Sequence, residues 1–351
     1  MMIYLRKFAF ILIAAFVLLG TGKTIAAAEN YSALDGKVVR VIIGSAVGES
    51  TDLFARAFFK SMKNEIPNAD FRIQNLESGN KALEELHSAS EGNGIVILVT
   101  SRSPFFKLIV KPDPKIDPAS FRFLGSLGKV NRILAIRKSY GEVSIDQIVS
   151  AQKVPLVGAI KPDPSAWEPL LINAITKLKM KVIVGMSEGE RQAMIMKGDL
   201  DARVGSLTEL QPFLDDGTMV PLLKFTRDGY PASLDSVPAL SDIVLPDTDK
   251  EVLSAIETID RVGAVILTAA KMPDDETETQ IRSAISNAVG DKDFKAMADK
   301  LNAKISYTPG GELTEILVRL LSESGGVPAK LRNAIECGQH KSDSDDAVSC
   351  K

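Results

Sequence analysis

Along this chain, short and almost unbroken apolar runs alternate with stretches whose apolar positions recur every three or four residues. Residues 38–43 (Val-Val-Arg-Val-Ile-Ile) and 95–100 (Ile-Val-Ile-Leu-Val-Thr) are of the first kind. Rich in β-branched residues, they read as strands buried on both faces of a parallel sheet. Leu53, Phe54, Ala57 and Phe58 are of the second kind and predict a helix over 52–65, ended by Pro67. A short strand at 70–74 and a helix at 81–90 complete a β-α-β-α-β alternation, which predicts a parallel sheet covered by helices.

A proline-rich excursion at 111–118 breaks the rhythm, and two strand candidates around Gly128 (123–127 and 133–136) mark a change of lobe. From Ile145 the alternation restarts. It predicts helices at 144–152, 168–178, about 188–197 and 208–214, and strands at 154–160, 181–184, 201–204 and 220–225. Residues 229–238 read as irregular, 262–267 as a buried strand, and 272–289, 293–301 and 312–322 as helices, with a short strand near Ile305. The pattern describes two α/β lobes.

The N-terminus changes the picture first. Arg6 and Lys7 precede an apolar core at 8–19, and Ala26, Ala27 and Ala28 offer a cleavage site, so residues 1–28 read as a signal peptide and the mature chain as exported to the periplasm. Cleavage removes three cations and no acid, taking the formal charge from −3 to −6. An acidic balance argues against nucleic acid as partner. Both cysteines, Cys337 and Cys350, fall in a polar C-terminal tail, 336–351. In an exported chain with two cysteines a disulfide is the first reading, and a metal site from Cys337, His340 and Cys350 the second.

Candidate chemistry concentrates in loops that follow strands, where open α/β sheets bind ligands. The loop at 44–52 carries Gly44, Ser45 and Gly48, and Ser50, Thr51 and Asp52 supply N-cap chemistry for the following helix. Free N–H groups at such a helix start suit an anion, especially a carboxylate. Arg102 after the third strand and Lys161 in the loop 161–167 offer charge, Ser165 a hydroxyl, and Trp167, the one tryptophan, a wall for a pocket. Against this, Arg102 and Lys161 also read as solvated loop charges, Ser165 as a helix cap and Trp167 as a plug between lobes. The two histidines, His87 and His340, stand apart from any nucleophile or metal-ligand pattern, and no cofactor fingerprint occurs, so no enzymatic activity, metal or cofactor is expected.

The order of several motifs resembles the receptors of tripartite tricarboxylate transporters. The stretch at 43–56, with Gly48, Ser50, Thr51, Asp52, Ala55 and Arg56, is similar to that family's first signature. Residues 184–202 resemble its strand, small-residue turn, short helix and Gly-x-x-Asp stop, and 217–223 and 230–240 match later elements. Met272-Pro273, the long helix after it and 291–301 fit the C-terminal part.

The resemblance implies a periplasmic-binding-protein-like, Venus-flytrap fold with a hinge and an inter-lobe ligand cleft. Lobe one would be residues 36–132 and 258–335, lobe two 133–257. It implies a solute-binding receptor, not an enzyme, that takes a small organic acid and delivers it as a monomer to membrane permease subunits. Ser50, Thr51 and Asp52 match the first carboxylate-holding loop and Ser165 the hydroxyl of the second. Two departures are visible: Ala46, Val47 and Glu49 replace family residues around Gly48, and Pro162-Asp163-Pro164 replaces a glycine-rich turn, removing backbone donors. These departures motivate an alternative, a divergent receptor fold acting as a sensor or interaction protein without a transport role.

Overall fold

The computed structural model describes residues 31–89, 94–117, 120–128, 130–246, 250–263, 265–269, 271–300, 305–322 and 326–344. The signal-peptide expectation for 1–28 and the position of Cys350 lie outside them. From the N-terminus the elements are β1 (Val38–Ile43), α1 (Ser50–Glu65), β2 (Asp70–Asn75), α2 (Gly79–Ser88), β3 (Ile95–Thr100), α3 (Ser103–Val110) and β4 (Arg122–Leu127). A second group follows: β5 (Arg132–Arg137), α4 (Ile145–Ser150), β6 (Leu156–Ala159), α5 (Pro164–Ile175), β7 (Lys181–Val184), α6 (Glu188–Lys197), β8 (Ala202–Ser206), α7 (Leu207–Asp215) and β9 (Met219–Lys224). The chain continues through α8 (Leu240–Ile243), α9 (Lys250–Arg261), β10 (Val265–Ala269), α10 (Asp275–Gly290), α11 (Lys292–Lys300), β11 (Tyr307–Pro309), α12 (Gly310–Leu321) and α13 (Val327–Asp343).

The strands form two sheets. One runs β11-β4-β10-β3-β1-β2 and the other β7-β6-β8-β5-β9. In the first, β1 is parallel to both β2 and β3, while β10 is antiparallel to β3 and β4. In the second, β6 is parallel to β7 and β8, and β5 is antiparallel to β8 and β9. Phe54 and Phe58 of α1 meet Phe294 of α11 edge-on at 5.1 and 5.3 Å, so α1 and α11 pack as one apolar layer.

The chain passes from the first sheet to the second between β4 and β5 and returns after β9. The two passages are stitched together. The Arg132 carbonyl accepts the Phe225 N–H (3.1 Å) and the Tyr230 hydroxyl (2.6 Å), and the Asn131 amide donates to the Gly229 carbonyl (2.9 Å). A pair of bonded crossings is the arrangement from which a hinge is built.

Three elements depart from the sequence reading. Helix α5 starts at Pro164, with the Asp163 carboxylate accepting the Ser165 N–H (3.0 Å), so Ser165 and Trp167 stand on a helix and not in a loop. Proline suits that first turn because its missing N–H has no partner there. Helix α9 went unread although Val252, Ala255, Ile256 and Ile259 bury one helical face. The third is α13, which occupies much of the expected polar tail. Its buried stripe is Leu331, Ile335, Gly338 and Ser342, two large residues followed by two small ones that hydropathy does not register.

Helix α13 packs on α5 and also touches α9 and α3. A Cβ on Gly338 would overlap the Leu170 carbonyl, so glycine is what lets the two helices touch. Lys341 Nζ donates to the Asn173 and Thr176 carbonyls (2.8 Å each), and the Ser342 hydroxyl accepts the Val182 N–H of β7 (2.9 Å). Cys337 lies on this helix.

Candidate functional site

The carboxyl ends of β1 and β3 converge with the amino ends of α2 and α3. A Cβ on Gly44 would come within 2.9 Å of both the Gly79 Cα and the Thr100 Oγ1, so the junction closes only around glycine. Ser45 and Thr100 are both buried here, and neither hydroxyl has a hydrogen-bond partner. Buried hydroxyls without partners are uncommon, since each forfeits the hydration it had in water.

The loop from Gly44 to α1 is organised from within. Asp52 is 1 % exposed. Its Oδ2 accepts the Gly48 N–H (2.8 Å), and its Oδ1 accepts Arg56 Nε and Asn75 Nδ2 (2.8 Å each). Burial pushes this carboxyl up, but the Gly48 N–H, the Asn75 amide and the Arg56 guanidinium outweigh it and hold the pKa below the usual range. Asn75 also donates to the Ser45 carbonyl (3.1 Å). Asp52 therefore shapes the loop with both oxygens occupied, and Gly48 supplies the turn at φ +86°. The exposed Glu49 carboxylate turns back to accept the Ala46 N–H (3.3 Å). Thr51 is half-buried on the first turn of α1, which opens at Ser50.

Lys161 is exposed on the approach to α5. Ser165 Oγ donates to Asp163 Oδ1 (2.7 Å) and accepts the Ile160 N–H (3.0 Å), stitching the turn before α5. Trp167 is buried edge-on against Phe106 of α3 at 5.7 Å, joining an element of the first group to one of the second.

Arg102 is buried rather than solvated. Its Nη2 binds Glu168 Oε1, and the other oxygen of Glu168 binds Arg132 Nη2. Glu168 is 2 % exposed. Asp260 of α9 accepts the Arg132 N–H (3.3 Å). Burial drives the Asp260 carboxyl up to about 6, against the pull of Arg102 and Arg132 and reinforced by Glu168. Arginines at both sides of the crossing thus share one carboxylate supplied by α5.

No family model matches the chain, and no curated protein matches it by sequence. Solved structures do. A TctC solute-binding protein from Polaromonas, without ligand, is 15 % identical, with a TM-score of 0.65 over 84 % of this chain and 98 % of that one. MatC from Rhodopseudomonas palustris with bound malate is 17 % identical, with a TM-score of 0.60 over 85 % of this chain and 99 % of that one. An R. palustris protein with adipate is 15 % identical, with a TM-score of 0.59 over 84 % of this chain and 97 % of that one. The chain shares the two-lobed α/β fold of these proteins.

Five of the nine expected site residues fall into two sets, and Ser50, Thr51, Lys161 and Ser165 join neither. Ser45, Gly48 and Asp52 come together around one loop at the carboxyl end of β1. Arg102 and Trp167 meet the other lobe through Glu168 and Phe106. Sequence reasoning missed Glu168, Arg132 and Asp260. A usable signal existed for Glu168: a carboxylate one residue after Trp167 in an otherwise apolar helix (Ala166, Trp167, Leu170, Leu171). Among the described residues no three His, Cys, Asp or Glu side chains gather as a metal site, and no helix is long and apolar enough to cross a membrane.

Proposed function

We propose that this protein is an extracytoplasmic solute-binding receptor of the tripartite tricarboxylate type, which captures a small organic acid between its lobes and passes it to membrane permease subunits. The observation that carries the reading is the pair of buried, unpartnered hydroxyls of Ser45 and Thr100 at the carboxyl ends of β1 and β3. They lie where α/β sheets take ligands, in a fold shared with a malate-bound and an adipate-bound protein. The unmet bonds of these hydroxyls, with the N–H groups opening α1, are filled by the oxygens of the acid.

On this reading residues 1–28 are removed on export, the mature chain works in the periplasm as a monomer, and it performs no catalysis. Lobe one is built on the first sheet and lobe two on the second, which takes in Arg132 at the start of β5 and α13 packed on α5, and the stitched crossings around Asn131 and Tyr230 form the hinge. Ligand binding shifts the population toward the closed form. On the same reading the two cysteines of the exported chain form a disulfide. Ser50, Thr51, Lys161 and Ser165 border the cleft, whereas Asp52 and Trp167 position it.

Thr100→Val and Ser45→Ala test the reading. Both remove a hydroxyl that makes no bond within the protein, so thermal stability should hold or rise. Affinity for an acid found by thermal-shift screening should fall about tenfold, the value of a hydrogen bond to a charged group. Unchanged affinity in both variants would remove these hydroxyls from the site.

A further inference from the structure

The Arg102, Glu168, Arg132 arrangement continues into the second sheet. Arg132 Nη1 lies 3.7 Å from Glu209 Oε2, and the same oxygen lies 3.6 Å from Arg203 Nη2. Arg203 Nη2 also binds Glu188 Oε1 at 2.9 Å, and the other oxygen of Glu188 binds Arg191 Nη2. Four arginines and three glutamates alternate, beginning and ending on arginine. Asp260 balances the Arg102 and Arg132 end, where it is bonded.

At the far end the guanidiniums are poorly served. The Arg203 and Arg191 side chains are 2 % and 7 % exposed, while Glu188 and Glu209 are 42 % and 52 % exposed. Arg203 Nε and Nη1, Arg191 Nε and Arg132 Nε are all buried without a hydrogen-bond partner. Burial and the neighbouring Arg191 both depress the Arg203 pKa, with Glu188 and Glu209 resisting. Buried guanidinium donors left unmet are costly, and an oxyanion with several lone pairs is the group that satisfies them.

The place also fits. Glu188 opens α6 directly after β7, and Glu209 sits in the first turn of α7 directly after β8. Arg132 stands opposite Ser206 at the carboxyl end of β8. The cluster therefore lies at the carboxyl edge of the second sheet, beside the crossing, and its two glutamates are the solvent-facing partners, with Glu209 Oε2 also accepting the Ser206 N–H (3.1 Å) at the cap of α7. In the first lobe, by contrast, the Ala46 and Gly48 N–H groups are already taken by Glu49 and Asp52.

We propose that Arg203 and Arg191, with Arg132, form an oxyanion site in lobe two that receives a carboxylate of the ligand in exchange for Glu209. The proposal rests on the receptor reading for the identity of its ligand but not for the existence of the site. Arg203 would be the specificity-determining cation, and the acid group would be read in the second lobe while Ser45 and Thr100 read the other end.

The test is calorimetric titration of the full mature chain with inorganic sulfate and with succinate at constant ionic strength. Arg203→Met removes the guanidinium and keeps the bulk, and Glu209→Gln removes the competing carboxylate. Sulfate should bind the wild type at one site, bind Glu209→Gln about tenfold more tightly, and lose at least about tenfold in Arg203→Met. Circular dichroism confirms that the variants fold, and Glu209→Gln carries the test alone if Arg203→Met does not. Equal sulfate affinity in wild type and Glu209→Gln, or no binding to either, overturns the site. Succinate binding that neither substitution alters also overturns it while leaving the receptor reading intact. Variant-sensitive sulfate binding with no organic acid bound would uphold the site and sink the receptor reading.

Discussion

Asp52 shows how a residue's chemistry can be legible while its task is not. The Ser50, Thr51, Asp52 run announced a helix start, and α1 begins there. The run did not reveal that the Asp52 carboxylate would spend both oxygens on Gly48, Asn75 and Arg56. The partners at 48 and 56 are local, but Asn75 arrives from β2, and only the β1–β2 pairing brings it close. Asp52→Asn should therefore cost about 1–3 kcal/mol at neutral pH, because one bonded donor is left facing an amide NH2. The carboxyl is depressed in the folded state, so its contribution is complete above the ordinary value of 3.8 and is lost as pH falls through the lower folded value. Urea denaturation from pH 7 down to 3 should show the gap between wild type and variant narrowing at the acid end. A gap that stays constant would remove the charge from the explanation. The exchange of expectation for observation at Arg102 has the same cause. A lone arginine after a strand reads as solvated or ligand-facing, and its partner Glu168 is 66 residues away in sequence.

At the scale of elements, the strands were the most readable part. Buried β-branched runs at β1 and β3 have few alternatives, and the restart of the alternation after Ile145 foretold the second sheet. Helices whose buried faces use small or spaced residues were harder. Helix α9 is framed by polar residues, and the stripe of α13 ends in Gly338 and Ser342, where contact is made by backbone and hydroxyl rather than by apolar bulk. That makes Gly338 a sharp probe. Gly338→Val should force α13 away from Leu170 and cost about 3 kcal/mol or more, at the upper end of overpacking penalties. Gly311→Ala, at a helical glycine whose Cβ would meet open space, should be neutral or stabilise by up to about 1 kcal/mol. Thermal melts of the two variants compare these directly. Similar small effects at both sites would mean that α13 does not pack on α5 as described.

At the scale of the molecule, the lobes are joined by the two crossings, by Phe106 against Trp167, and by Glu168 between Arg102 and Arg132. Removing the Glu168 charge takes away the carboxylate that both buried guanidiniums bind directly and leaves them only the longer-range Asp260 and Glu209, so Glu168→Gln should destabilise by about 3 kcal/mol. Chemical denaturation measures this, and a loss below about 1 kcal/mol would show that the arginines find water or another carboxylate. The two-lobe plan could be read from the sequence because each lobe repeats the α/β alternation. The charged chain between the lobes could not, because no local pattern marks residues that meet only after both sheets have formed.

The central claim is that this fold closes on a small organic acid. Calorimetric titration of the protein against mono-, di- and tricarboxylates tests it most directly. At least one acid should bind at a single site with saturating heat and raise the melting temperature as it does so. A folded protein that binds none of them would contradict it.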